Sequence, residues 1–586
     1  MKFLRNLLAA ILGTLIAFGI VFVMFFIFAA LMGSSDGGVV VKKNSVLELG
    51  FAEPIKDYVG VDESDPFSGL WDEGVGLDVL LHAIQEASLD ENIRGISLTT
   101  SFLQAGLAQT QEIRKALLDF KLSGKFIYAH SDFFTQKDYY LASVANKIYL
   151  NPVGAMDFKG LYSEVLYFKE LQEKSGVKME VIRHGKYKSA VEPYLSDSMS
   201  EENRTQIQEL LSSIWGTMIE DIANSRNINP YNLNNIADTL GARTPNYALA
   251  SGLVDDLLHH DEYEAILKDE LGLNEDDTPN YVDFFDYVDK VKNRNLPSGK
   301  DKVAIIYAQG EILYGEGDRE IIGQGMLVES LQKAVKNDAV KAIVLRVNSP
   351  GGSALVSDII WREVEITKKS KPVVVSFGNV AASGGYYIGV AADKIYAEPT
   401  TVTGSIGVFG TIPNINALAD KVGINAEQVG TNQNSVDYSF FEPMTESFRA
   451  VIKEGIEETY NTFLERVASG RNMTPDEVDA IAQGRVWSGL EAQKIGLVDE
   501  LGGLDDAVEG AAQLAGIEYY GIRKYPKYKS GFEKFMEDIS GAKSKMAAAV
   551  IEEELGADAY NVFKEFKKVS QKQEIQAKMP FSLIIR

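Results

Sequence analysis

No cysteine occurs in the 586 residues, which excludes disulfide staples, thiolate metal sites and a thiol nucleophile and leaves the redox compartment open. Basic residues are in deficit, with 58 Lys and Arg against 83 Asp and Glu, a formal charge of −25. A nucleic-acid binder usually carries a basic face, so this balance argues against one. Proline is scarce at 16 residues, while 45% of the chain is hydrophobic and 24% charged. That composition supports large packed cores rather than extended disorder. Histidine is limited to His82, His130, His184, His259 and His260, so the second half of the chain has none.

What is present begins with a charge-free run. From Leu7 to Met32 no residue is charged, and Lys2 and Arg5 precede it. The span is about 26 residues where a bilayer-crossing helix needs about 20. It reads as an uncleaved single-pass anchor with a cytoplasmic N-terminus, which puts the rest of the chain on the outer, periplasmic side of the inner membrane. A long cleaved signal peptide cut near Ala29-Ala30 is the alternative, and both readings export the chain.

The remainder is a tandem duplication. Ile93-Arg94-Gly95-Ile96-Ser97-Leu98 parallels Val340-Lys341-Ala342-Ile343-Val344-Leu345, Tyr139-Tyr140-Leu141 parallels Tyr386-Tyr387-Ile388, and Lys147 to Pro152 parallels Lys394 to Pro399, all at an offset of 247. Met199-Ser200-Glu201 meets Met444-Thr445-Glu446 at 245, and Gly252-Leu253-Val254-Asp255 meets Gly496-Leu497-Val498-Asp499 at 244. Chance does not supply five matches in one order at nearly one spacing. The expected organisation is an anchor segment 1–44, a first repeat 45–258, an acidic linker 259–302 with a short helix, a second repeat 303–515 and a tail 516–586 without an assigned role.

Apolar periodicity predicts an α/β fold. In the second repeat, strands are expected over Val303–Ala308, Ala342–Val347, Val373–Phe377 and Lys394–Tyr396. Helices are expected over Met326–Val335 and Ala354–Thr367 and from near Ser383. Strands separated by helices of this length imply βαβ units and a largely parallel sheet.

Chemistry is expected where strands end. Asn348-Ser349-Pro350-Gly351-Gly352-Ser353 follows a strand, and its glycines allow backbone N–H groups to approach a ligand closely, as an oxyanion hole requires. An ordinary strand-to-helix turn is the alternative. Ser383, in Ala381-Ala382-Ser383-Gly384-Gly385, sits among small residues at a helix start, where a carbonyl can approach and the dipole favours negative charge. A helix cap is the plainer role for it. No histidine is available as its base, but the first repeat offers Lys188 in His184-Gly185-Lys186-Tyr187-Lys188-Ser189-Ala190-Val191-Glu192-Pro193. A lysine acts as a base only when neutral, which needs a desolvated pocket; the plain alternative is a solvated surface lysine. At the repeat offset, Ser383 faces Gln136, Gly351-Gly352 face Gln104-Ala105, Ser405 faces Phe158, and Lys188 faces Gln433. One repeat keeps the serine and the other the lysine. Independent drift explains the separate losses, but not their complementarity.

On these residues, together with Thr403-Gly404-Ser405-Ile406-Gly407, the chain from the anchor to about residue 510 closely resembles the long form of the signal peptide peptidase A family. These are Ser–Lys peptidases related in fold to ClpP and the crotonases. The resemblance implies duplicated ClpP/crotonase-like domains built of ββα spiral units, Ser383 as nucleophile, Lys188 as general base and Ser405 orienting the lysine amine. It implies backbone N–H groups of Gly352 and Gly384 as oxyanion hole, and neither metal nor other cofactor. It further implies a homotetramer at the inner membrane that degrades signal peptides and other apolar peptides, with no nucleic-acid partner. A non-catalytic membrane scaffold and a crotonase-type acyl-CoA enzyme are the rival readings; the latter would need neither Lys188 nor an anchor.

Overall fold

The computed structural model describes residues 39–51, 53–60, 75–99, 102–432, 434–435, 438–528 and 576–578, and short helical pieces between 5 and 24. The expected anchor over 7–32 falls largely outside the described residues, as does Gln433. Among the described residues no helix is long and apolar enough to cross a membrane.

The duplication seen in the sequence recurs as two sheets with one strand order. In the first repeat six parallel strands run Asp256–Leu257, Lys147–Met156, Phe126–Phe134, Ile93–Leu98, Ser45–Leu49, Asn280–Asp283. In the second the corresponding parallel order is Glu500–Leu501, Lys394–Ala397, Val373–Ala382, Val340–Ser349, Asp301–Gln309, Tyr520–Tyr525. Val402–Gly404 also pairs with Val373–Ala382, and Val486–Ser488 closes that side antiparallel. Even helix ends are duplicated. Glu201–Arg226 and Glu446–Arg471 are both 26 residues long. Their N-caps, Ser200 and Thr445, accept from the backbone N–H three residues on, and both helices end on an asparagine, Asn227 and Asn472, in the left-handed conformation. Asparagine tolerates that conformation better than most residues, so each helix has a defined stop.

The expected second-repeat elements form, with extensions that matter. The strand expected to end at Phe377 continues to Ala382 because its second half pairs with Val402–Gly404, which delivers the chain to Ser383. The segment 259–302, expected as a linker with a short helix, instead carries helix His260–Glu270, strand Asn280–Asp283 and helix Phe284–Val291. Its acidic residues face solvent, but Tyr263, Leu267, Phe284, Tyr287 and Val291 are buried in the first repeat. Its strand closes the first sheet's edge. Tyr520–Tyr525, in the expected tail, closes the second sheet in the same way.

A third, smaller sheet joins the repeats. Its order is Ile321–Ile322, Glu311–Ile312, Gly351–Ser353, Gln576–Lys578, Phe409–Asn414, Lys178–Arg183, so the last strand comes from the first repeat and pairs antiparallel with Phe409–Asn414 over its whole length. The repeats also share a charged seam. Arg346 of the second repeat, 1% exposed, donates to Asp57 at 3.2 Å and Glu112 at 2.5 Å, both from the first repeat. Glu112 also accepts from Leu504 N–H at 2.9 Å. Removing the guanidinium leaves two buried carboxylates without their cation, a change that costs about 3–5 kcal/mol where one partner of a buried pair is deleted. Arg346→Ala is therefore expected to move the urea unfolding midpoint sharply downward. A midpoint unchanged from wild type would show that the seam does not hold the repeats together.

Candidate active site

Strand Val373–Ala382 ends directly on Ser383, and helix Gly384–Gly389 starts on the next residue. Ser383 has φ 55° and ψ −115°, and its side chain makes no cap hydrogen bond. The plain helix-cap role is therefore not taken. A positive φ is unfavourable for a residue with a Cβ and costs of order 1–3 kcal/mol, so the surroundings must impose it. They do: Ser383 N–H donates to Gly404 O at 2.8 Å, and Ser383 O accepts from Tyr387 N–H at 2.9 Å. Close packing under the elbow explains the glycines. A Cβ on Gly385 would lie 2.5 Å from Ser349 O.

Lys188 arrives from the other repeat. Strand Lys178–Arg183 leads into a loop that turns at Gly185, φ 99°, and reaches the short 3-10 turn Ser189–Val191. Both repeats grip this loop. On the first-repeat side Gln206 donates through Nε2 to Tyr187 O at 3.0 Å and Ser189 Oγ at 2.8 Å. On the second-repeat side Tyr187 N–H donates to Gln483 O at 2.9 Å, and Arg485 lies over the Tyr187 ring while pairing with Glu209. Gly484, φ 81°, lies against the lysine itself: a Cβ there would come within 2.6 Å of Lys188 N and 2.7 Å of its Cα. Gly407 likewise leaves space for the Lys188 stem, whose Cδ would be 3.1 Å from an added Cβ.

The lysine amine closes the arrangement. Lys188 Nζ is 2.8 Å from Ser383 Oγ, 2.9 Å from Ser405 Oγ and 2.9 Å from Ser405 O. All three residues are fully buried. Ser405, like Ser383, has a positive φ, 51°, and its N–H donates to Arg485 O. Burial alone pushes the Lys188 amine well below the ordinary lysine range, because no carboxylate offsets the desolvation. A neutral amine has two N–H donors and one lone pair. Ser405 supplies two acceptors, its carbonyl and hydroxyl, which leaves the lone pair for the Ser383 hydroxyl proton.

The glycines expected to form an oxyanion hole line the same corner. A Cβ on Gly351, φ 95°, would lie 2.7 Å from Gly384 N, and one on Gly352 would lie 2.0 Å from Ile312 O. Ser383, Lys188, Ser405, Gly352 and Gly384 are thus brought together from four separate stretches of chain. Gln206, Gly484, Gln483 and Arg485, which hold the lysine loop, were not singled out in the sequence; a short Gln-Gly-Arg stretch has no local signature until the loop it supports is known. The equivalent place in the first repeat is filled. Gln136 bonds to Gly160 and Lys159, and Phe158 is buried against Tyr139 and Trp215. Among the described residues no group of three or more acidic or imidazole side chains could hold a metal ion. A groove of about 770 Å³ beside helix Glu201–Arg226 contains none of the five residues.

Comparison with known proteins gives a consistent result. The model of peptidase family S49 matches residues 119–274 and 365–518, once in each repeat. Protease 4 of Haemophilus influenzae is 38% identical over 448 residues, 74% of this chain and 72% of that one. Protease 4 of Salmonella typhi is 36% identical, covering 82% and 78%. The chloroplastic serine protease SPPA of Arabidopsis thaliana is 32% identical, covering 81% and 70%. Among solved structures, a ClpP1 mutant from Listeria monocytogenes is matched at 16% identity and a TM-score of 0.24, covering 35% of this chain and 94% of that one.

A buried lysine whose amine is depressed by desolvation has a stability signature. The folded-state pKa of Lys188 lies below 10.5, so between that depressed value and 10.5 the unfolded chain binds more protons and stability rises with pH. The cost is largest on the acid side of this window and disappears at its alkaline end. Lys188→Met is expected to raise the melting temperature at pH 7, with the gap to wild type narrowing toward pH 10 in differential scanning calorimetry. A Lys188→Met protein less stable than wild type at pH 7 would contradict a desolvated, neutral lysine.

Proposed function

The chain belongs to peptidase family S49 and is a serine protease, and on that footing we propose that Ser383 is its nucleophile and Lys188, from the other repeat, its general base. The observation that carries this reading is the 2.8 Å contact between Lys188 Nζ and Ser383 Oγ, both fully buried and without a carboxylate to hold the amine charged.

The chemistry follows from that contact. Neutral Lys188 takes the Ser383 hydroxyl proton as Oγ attacks a peptide carbonyl. The oxyanion forms against the backbone N–H groups of Gly352 and Gly384, and such donors contribute about 3–4 kcal/mol each to the transition state. Lys188, now protonated, returns the proton to the leaving amine and then activates the water that releases the acyl group. Ser405 holds the amine so that its lone pair faces Ser383 throughout.

The substrate class is apolar peptide, signal peptides above all. Ile182, Ile312 and Phe409 are buried beside the site, and Phe409 lies 6.0 Å from Lys188 Nζ, surroundings that suit apolar side chains. The charge-free run over 7–32 anchors the enzyme in the inner membrane, with the catalytic repeats outside, where cleaved signal peptides remain. A homotetramer completes the reading, carried from the resemblance.

Hydrolysis of a fluorogenic apolar peptide by the detergent-solubilised protein tests the dyad. Ser383→Ala and Lys188→Ala are each expected to lower kcat by at least about a thousandfold, the scale on which members of a catalytic unit fail singly, while thermal unfolding shows both variants folded. Wild-type kcat is expected to fall on the acid side as Lys188 becomes protonated. Loss in Ser383→Ala alone would remove Lys188 as the base, and a cleavage profile dominated by charged residues before the cut would remove the apolar substrate class.

A further inference from the structure

Arg485 stands between the two segments that set the Lys188 amine against Ser383. Its carbonyl accepts the Ser405 N–H at 2.6 Å, and a Cβ on Gly404 would lie 3.1 Å from the same oxygen. Gly404 O in turn accepts the Ser383 N–H. The Arg485 main chain therefore backs the segment that places both serines. Its side chain runs the other way, to the first repeat. The guanidinium lies 4.0 Å from the centre of the Trp487 ring and 5.3 Å from that of Tyr187, and it pairs with Glu209 of helix Glu201–Arg226. Tyr187 directly precedes Lys188 in the chain.

The proton transfers proposed above do not use this guanidinium, yet the fold holds it closely. Its Nε is buried without a hydrogen-bond partner. A planar, weakly hydrated cation suits a place against aromatic rings, where the compact and strongly hydrated ammonium of a lysine does not. Side-chain exposure falls from 48% at Glu209 through 19% at Arg485 to none at Lys188. On this side, Arg485 and the Tyr187 ring are what separate the lysine from solvent.

Few other charged or titratable groups surround Lys188. On its own loop are Arg183, which donates through Nη1 to Lys188 O at 3.1 Å, His184, stacked on Tyr460, and Lys186, 5.2 Å from the Tyr187 ring. Glu192 is bound to Ser200 N–H and Asn203. Facing the loop are Arg485 and Glu209. Among the described residues no carboxylate reaches the amine.

We propose that Arg485 is a positioning residue for the proton transfer: held between Tyr187 and Trp487 and anchored by Glu209, it locks the lysine loop of one repeat onto the Ser405 segment of the other and closes that side of Lys188 to water. The proposal rests on the Ser383–Lys188 reading. Opening this side admits water, and a hydrated amine takes up a proton more readily. A protonated amine has no lone pair for the Ser383 proton. Raising the pH removes that proton and restores the rate.

The test follows kcat and KM for the fluorogenic apolar peptide from about pH 5 to 10, using detergent-solubilised wild type, Arg485→Ala, Arg485→Lys and Glu209→Gln, with a melting temperature for each. Arg485→Ala is expected to move the acid limb of kcat about one unit toward alkaline pH, about a tenfold loss on that limb. KM is expected to stay within about twofold of wild type, and the loss to disappear at the alkaline end. Arg485→Lys keeps a charge for Glu209 but not the flat stack, so most of the shift is expected to remain. Glu209→Gln, at a half-exposed position, is expected to move the limb the same way by less. A kcat lowered by one factor at every pH would make Arg485 scaffold alone and overturn the proposal, as would an unmoved limb. If Arg485→Ala does not fold, Glu209→Gln decides: a moved limb supports the proposal and an unmoved one overturns it. Lys188→Ala run in parallel separates the two readings. Should it keep wild-type kcat, the Ser383–Lys188 reading falls and the proposal with it. Should it be inactive while the Arg485 and Glu209 variants follow the wild-type profile, only the proposal falls.

Discussion

Everything at the site depends on keeping one amine dry. As the proposed base Lys188 works only without its proton, and in water at neutral pH it would carry one. The fold removes water by bringing two repeats together over the side chain and supplies only neutral partners, Ser383 and Ser405. A single carboxylate within reach would restore the charge and end the basicity. The glycines at 407 and 484 belong to this constraint as much as the serines do, since any side chain at Gly484 would displace the lysine backbone.

Duplication explains how so closed an environment is assembled. Each repeat alone is a parallel sheet with covering helices, and neither holds both Ser383 and Lys188. The pairing of Lys178–Arg183 with Phe409–Asn414 sets the register between repeats, and because side chains alternate along a strand, a one-residue slip there would turn every side chain on it to the opposite face. Arg346, bridging Asp57 and Glu112, adds a buried polar seam that is costly to leave half-formed. In the first repeat, Phe158 and Gln136 occupy the positions of Ser405 and Ser383 and serve packing and loop hydrogen bonding. The duplicated fold thus has one place where Ser383, Lys188 and Ser405 meet and one that is filled.

Legibility varied with the range of the interactions involved. Val340–Ser349 and Ala354–Lys368 were readable because continuous apolar runs and helical spacing are local properties. Ser383 and Lys188 emerged because each sits in a short motif absent from the corresponding place in the other repeat. The linker misled, since its many acidic residues mask the buried face formed by Tyr263, Leu267, Phe284 and Tyr287. The tail was silent for a related reason: three residues that gain their place by backbone pairing with Gly351–Ser353 leave no side-chain pattern to read.

The sequence by itself determined the duplication, the α/β class, the division of serine and lysine between repeats and the family resemblance, because these reside in the order and periodicity of residues. Only the tertiary structure decided that Lys188 is desolvated, that Ser383 is held at positive φ instead of capping a helix, and that Gln576–Lys578 joins the third sheet beside the glycines. Each of these depends on contacts between segments far apart in the chain, where burial and backbone pairing are properties of the assembled fold and of no single stretch.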